Sequence, residues 1–250
     1  MATSVHVAPE GRAEMDEIGR DEERGGAIRV LDHGFVRLDG AMADDLSVVN
    51  AARVSFAQRS DEVSQREAGL IRFLMRERHG TPFEHNAFRF HIKLPIFVMR
   101  EWARHRMGSF NEWSGRYSRL EPEFYVPEPE DVRTQVGKPG AYSFDPVSDE
   151  IAEHARAAQR AVYEQAYAVY LDMLDRGVAK EVARNVLPVA IYTQFYWTVN
   201  ARSLMNFLSL RNAATAQREI RRYAEAVEAL FGEQMPVTHA AFVANDRRAP

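Results

Sequence analysis

The chain has 250 residues, 46% of them hydrophobic and 27% charged, with a formal net charge of −4. That length suits one large domain or two small ones, and the slightly acidic balance has no overall attraction to nucleic acid or anionic membrane. No apolar run reaches the eighteen or so residues of a membrane span, and no signal-peptide core is visible, so a cytoplasmic protein is expected. The absence of cysteine excludes disulfides, thiolate metal ligands and a Cys nucleophile.

Residues 1–26 read as a disordered arm, in which Glu10, Glu14, Asp16, Glu17, Asp21, Glu22 and Glu23 mix with Arg12, Arg20 and Arg24. The folded domain is expected over residues 27–250. Residues 28–38 alternate as a strand does. Asp44 or Asp45 is placed to cap a helix running through Val54. Ser64 and Glu67 have capping-box spacing, and the helix they open carries Leu70, Ile71, Phe73 and Leu74. It is expected to close at His79-Gly80, with glycine as terminator.

After the loop His79-Gly80-Thr81-Pro82-Phe83-Glu84-His85, strict alternation begins. Phe88, Phe90, Ile92 and Leu94 take one face of a half-buried strand; Arg89, His91 and Lys93 take the other, with His91 solvated. His79, His85 and His91 recur every six residues, but this is not a ligand spacing, and no metal is expected.

The stretch from Arg100 to Arg119 carries the most chemistry. Arg100, Arg104, His105, Arg106, Arg116 and Arg119 are interleaved with Trp102, Phe110, Trp113 and Tyr117. A cationic cluster among aromatics is costly to desolvate unless an anion completes it, and guanidinium forks match phosphate. A phosphorylated ligand with a flat ring is the simplest occupant. Pro95 opens a helix. Arg104 and Arg106 would point about 200° apart on it, so either the helix ends near His105 or the two arginines serve two ligands. Ser114, Gly115 and Arg116 can give hydroxyl, backbone and guanidinium donors to one phosphate.

Prolines at 122, 127, 129 and 139 mark an irregular connection, with one strand over residues 124–126. Four helices are expected beyond it: about 149–176 closed by Gly177, 179–187 stopped by Pro188, 192–210, and 216–231 ended by Gly232. In the third, Asn200 and Arg211 are three turns apart and would share a face, with Arg202 and Asn206 also embedded in apolar residues. The polar residues either satisfy one another or line a ligand pocket between helices.

The sequence Arg104-His105-Arg106, then Ser109, Asn111-Glu112 and Ser114-Gly115-Arg116-Tyr117-Ser118, resembles the signature of the flavin-dependent thymidylate synthase (ThyX) family. The loop from His79 to His85 and the segment from Asn200 to Arg211 are similar to further stretches of that family, so the resemblance spans about residues 28–235. It implies an α+β fold, an antiparallel sheet packed against a helical layer, assembled as a homotetramer with active sites shared between subunits. It implies FAD contacts at His79, Thr81, Arg104, His105, Arg106, Glu112, Asn200, Ala201, Arg202 and Asn206. It implies dUMP contacts at Glu101, Trp102, Ala103, Arg104, Glu112, Trp113, Ser114, Gly115, Arg116, Arg184 and Arg211. The reaction implied is methylation of dUMP to dTMP with 5,10-methylenetetrahydrofolate as carbon donor and NADPH as reductant. With no thiol, Arg211 is the group expected to activate the pyrimidine electrostatically. The rival reading is a non-enzymatic nucleotide- or RNA-binding module that grips phosphate through Arg100–Arg119 and stacks bases on the aromatics; the acidic net charge and the polar residues of 200–211 count against it.

Overall fold

The alternation of Phe88, Phe90, Ile92 and Leu94 builds the middle of a six-stranded antiparallel sheet. The computed structural model describes residues 20–21, 25–138 and 141–250. Its strands are β1 (Arg20–Asp21), β2 (Ala27–Val30), β3 (Gly34–Met42), β4 (Ala87–Pro95), β5 (Ser109–Glu112), β6 (Arg133–Lys138), β7 (Ala141–Pro146) and β8 (Tyr192–Asn200). The large sheet has the order β1-β2-β3-β4-β8-β5; β6 and β7 form a separate hairpin. The helices are α1 (Asp45–Arg53), α2 (Gln65–Arg76), α3 (Ile96–Trp102), α4 (Asp149–Asp175), α5 (Lys180–Ala183), α6 (Ala201–Arg211), α7 (Arg218–Gln234) and α8 (Pro236–Ala244).

Register shows which face is inside. Phe88, Phe90 and Ile92 of β4 lie opposite Val199, Trp197 and Phe195 of β8, and all six are buried. Helices α3, α6 and α7 cover them through Trp102, Phe207 and Tyr223. The other face carries Arg37, Arg89, His91, Gln194 and Tyr196. Among the described residues no helix is long and apolar enough to cross a membrane.

The expected α+β class, with an antiparallel sheet against a helical layer, is what the chain adopts. Asp44 caps α1 by accepting from Ser47 N, Ser64 caps α2, and α4 ends at Gly177 with φ +83°.

Several expectations need correction. Residues 192–200 are not helical. They form β8, wedged between β4 and β5, and helix begins only at Ala201, with Asn200 as its N-cap. The shared helical face proposed for Asn200 and Arg211 therefore does not exist. Helix α2 stops before Gly80: the left-handed residue is Arg78 at φ +60°. Gly232 lies inside α7 rather than ending it, and α8 follows unforeseen. The β6–β7 hairpin was also unforeseen. His91 is not solvated; its Nδ1 lies 3.0 Å from Arg37 Nη2 and its Nε2 3.0 Å from Gln194 Oε1. The arm expected over residues 1–26 falls outside the described residues at 1–19 and 22–24, and Arg20–Asp21 inside it pair with β2.

Candidate active site

Helix α6 separates the predicted site residues into groups. Its ends lie about 15 Å apart at 1.5 Å per residue.

At its C-terminal end stands Arg211. Helix α3 ends at Trp102, and the chain turns through His105, whose N–H donates to the Trp102 carbonyl at 2.9 Å. That turn delivers two partners to Arg211. Its Nε donates to His105 Nε2 at 3.0 Å. Its Nη1 donates to Glu101 Oε2 and its Nη2 to the Glu101 carbonyl, both at 3.2 Å. A guanidinium has five N–H groups, so two remain, one on each terminal nitrogen. Burial, reinforced by the Arg211 charge, lowers the His105 pKa to about 4. Burial pushes the Glu101 carboxyl above its ordinary range; Arg211 opposes that shift and Glu219 adds to it.

At the N-terminal end, Asn200 accepts from Ser203 N at 2.8 Å and Ala201 is buried. Arg202 pairs with Glu84 at 2.5 Å and donates from Nε to the Pro250 carbonyl at 3.1 Å. Exposed His79 and Thr81 flank Gly80, and Asn206 is exposed one turn along α6. Asn86, completely buried here, uses its Oδ1 for Asp44 N, while its Nδ2 has no partner among the described residues.

The third group is the turn after β5. Tyr117 N and Ser118 N both donate to the Ser114 carbonyl, and Arg116 N to Ser114 Oγ at 3.3 Å. Gly115 is buried beside Arg184: a Cβ there would lie 3.4 Å from Arg184 Cδ. Ser114, Gly115, Arg116 and Arg184 are thus brought together, with Arg116 paired to Glu181 at 3.2 Å. Trp113 N donates to the Gln194 carbonyl, and Glu112 accepts from Thr193 Oγ1 at 2.7 Å.

Not every predicted residue faces outward. Trp102 is completely buried against Trp197, Phe207 and Tyr223, so its side chain is core and only its neighbours are presented. Ala103, Arg104 and Arg106 are exposed and lie beyond α3. The helix ends before them, so their 200° helical separation lapses. Neither arginine has an ion-pair partner among the described residues, which suits them to an anion. Sequence reading missed how Arg211 and Arg202 are held, since partners more than a hundred residues away leave no local pattern. Among the described residues no group of three or more His, Asp or Glu is arranged to hold a metal.

The polar groups at the α6 N-terminus are the candidates to hold a flavin nucleotide. Arg202 lies over buried Gly80, the Asn86 amide nitrogen stands unused, and Arg104 and Arg106, exposed beyond α3, suit an anion. Exposed arginines on an α+β frame, in a chain without a thiol, suit anionic ligands.

Comparison with known proteins gives the family. The family model described as thymidylate synthase complementing protein matches residues 37–237. The flavin-dependent thymidylate synthase of Streptomyces coelicolor is 49% identical over 249 residues, covering 94% of this chain and 100% of that protein. Its counterpart in Thermotoga neapolitana is 48% identical over 218 residues, covering 86% and 94%. The crystal structure of the UMP/dUMP methylase PolB from Streptomyces cacaoi, bound with 5-Br dUMP, superposes with a TM-score of 0.81. It is 44% identical, covering 89% of this chain and 100% of that one. The chain belongs to the flavin-dependent thymidylate synthase family.

Proposed function

We propose that the chain catalyses the reductive methylation of dUMP to dTMP, with FAD as cofactor, 5,10-methylenetetrahydrofolate as one-carbon donor and NADPH as reductant. FAD, when bound, supplies the hydride transfer, and the protein supplies position and charge. His79, Thr81, Asn200, Ala201, Arg202 and Asn206, with Arg104, His105, Arg106 and Glu112, form the proposed flavin contacts. The Ser114–Arg116 turn and Arg184 hold the nucleotide phosphate through hydroxyl, backbone and guanidinium donors. Trp113, Ala103 and Arg104 are the further proposed nucleotide contacts, with Glu101 acting through Arg211 and Trp102 through its backbone.

The observation that carries this reading is the guanidinium of Arg211, pinned through three of its N–H groups. Its two free N–H groups form a preset fork for carbonyl and ring-nitrogen acceptors of a pyrimidine. With no cysteine to attack the ring, charge developing on it is stabilised by these fixed donors, as in an oxyanion hole.

A homotetramer with shared sites belongs to the same proposal. Two observations support it: residues assigned to the flavin stand at both ends of α6 in one chain, Asn200 at its start and His105 against Arg211 at its close, and large apolar side chains stand in solvent. Val54 and Phe56 after α1, and Ile151, Val162 and Val169 along α4, are all exposed, and packing against another copy would take them out of water.

An absorption spectrum of the purified protein tests the cofactor, and tritium release from 5-tritiated dUMP tests the reaction. A yellow protein that releases tritium only with methylenetetrahydrofolate and NADPH is expected. A colourless protein that binds RNA would contradict the proposal.

A further inference from the structure

Arg211 can only donate hydrogen bonds. The nitrogen facing its Nε, His105 Nε2 at 3.0 Å, must therefore carry a lone pair. That fixes the ring as neutral, with its proton on Nδ1. A protonated imidazole would set two cations against each other at this distance.

The ring itself is held. Phe207 meets it edge-on, with centroids 5.0 Å apart at 73°. Phe207 and Arg211 are four residues apart on α6 and share a face, so His105 packs on the first and accepts from the second. Glu101 takes the two terminal nitrogens from the α3 side. The arginine head is thereby caught between two elements whose own positions are set by the core.

We propose that His105 is a positioning residue for Arg211: its Nε2 acceptor fixes the plane of the guanidinium and so aims the two free N–H groups at the pyrimidine. This rests on the proposed role of Arg211 and adds to it. A histidine counted by resemblance among flavin contacts has only Nδ1–H left for a ligand, and the other nitrogen serves the substrate side. The two functions sit on different atoms, so they can be separated by substitution.

Glutamine places an acceptor where Nε2 stands; asparagine places a polar group only where Nδ1 stands. The experiment compares wild type with H105Q, H105N and R211A, each loaded with FAD. It measures dTMP formation in a single turnover at saturating dUMP, with NADPH oxidation and the FAD dissociation constant measured alongside. Misplacement of a reacting or stabilising group by about 1 Å can cost about 100-fold. H105N is expected to lose about 10- to 100-fold in the saturated rate, and H105Q to lose markedly less in that rate, with the loss of its Nδ1–H donor read separately in the FAD dissociation constant. Equal rates for H105N and wild type, with R211A slow, would overturn the positioning role and leave the role of Arg211 intact. Loss in H105Q as deep as in H105N would overturn it as well. A normal saturated rate for R211A would instead remove the reading on which it rests.

Discussion

The guanidinium of Arg202 lies directly over Gly80: a Cβ added to residue 80 would stand 2.3 Å from Arg202 Nε. Glu84 and the Pro250 carbonyl hold the same guanidinium, so it cannot swing aside without losing both. The Gly80 backbone is helical, with φ −74°, so alanine would suffer no conformational strain of its own. Gly80→Ala is therefore expected to displace Arg202 and weaken FAD binding about tenfold, roughly 1.4 kcal/mol. Quenching of flavin fluorescence in a titration of apoprotein checks it. An unchanged dissociation constant would remove Arg202 from the flavin contacts.

Ser114→Ala should raise the dUMP dissociation constant and leave turnover at saturation measurable. The hydroxyl accepts from Arg116 N, no general base is hydrogen-bonded to it among the described residues, and its proposed role is donation to phosphate. A lost hydrogen bond to a charged group costs about 1.5–3 kcal/mol. Equilibrium binding and saturated rate, measured separately, decide the point: complete inactivity with dUMP binding intact would make Ser114 a nucleophile instead.

Glu228 fastens three segments. It is buried and accepts from Asn212 at 2.5 Å, from His239 at 3.0 Å and from Arg247 at 3.0 Å. Burial raises its pKa, but the hydrogen bonds from His239 and Asn212, with the Arg247 charge, together bring it below the ordinary 4.5. Breaking such a buried group costs about 3 kcal/mol or more. Glu228→Ala should thus lower Tm by some 6–12 °C.

Three depressed groups, His105, His91 and Glu228, shape the acid limb. An unfolded His105 takes up its proton near pH 6.5 and a folded one near 4, so stability falls as pH drops through that interval. His91, lowered by burial, acts in the same direction, and Glu101, raised by burial, opposes them. Glu228 stability is present above 4.5 and is lost below it. Urea midpoints against pH should flatten between 6.5 and 4 in His105→Gln, and below 4.5 in Glu228→Gln.

How much of this was legible varies by element. Strand β4 was readable because one face is core and the other polar, which forces period-two alternation. Strand β8 was not. It is apolar on one face and carries Tyr192, Thr193, Phe195, Tyr196, Trp197, Thr198 and Val199, and it runs straight into a genuine helix, so the two read as one apolar segment. Its density of aromatic and β-branched residues was the available signal. Glycine misled twice. Gly232 is there because a Cβ would lie 2.9 Å from His239 Nδ1, a matter of close approach between α7 and α8, and Gly80 makes room for Arg202. The arginine motif and its turn were plain in the sequence, while the His105–Arg211 and Arg202–Glu84 pairs are products of the fold alone.

Removing residues 1–19 should leave Tm and turnover nearly unchanged, since that stretch has little apolar surface to bury. Removing residues 1–26 takes β1 with it, along with the Asp21–Arg29 ion pair. The longer deletion should lower Tm measurably more than the shorter one. Equal melting curves for the two would show that β1 contributes nothing.

The central claim is that Arg211 stabilises the polarised pyrimidine rather than merely binding it. A binding residue, when removed, raises the dissociation constant and spares the saturated rate; a stabilising one lowers that rate too. The direct measurement is single-turnover dTMP formation by Arg211→Ala carrying FAD, at saturating dUMP. A loss of about 2.7–4 kcal/mol, or 100- to 1,000-fold, is expected, with NADPH oxidation preserved. Formation of dTMP at the wild-type rate once the site is filled would contradict it.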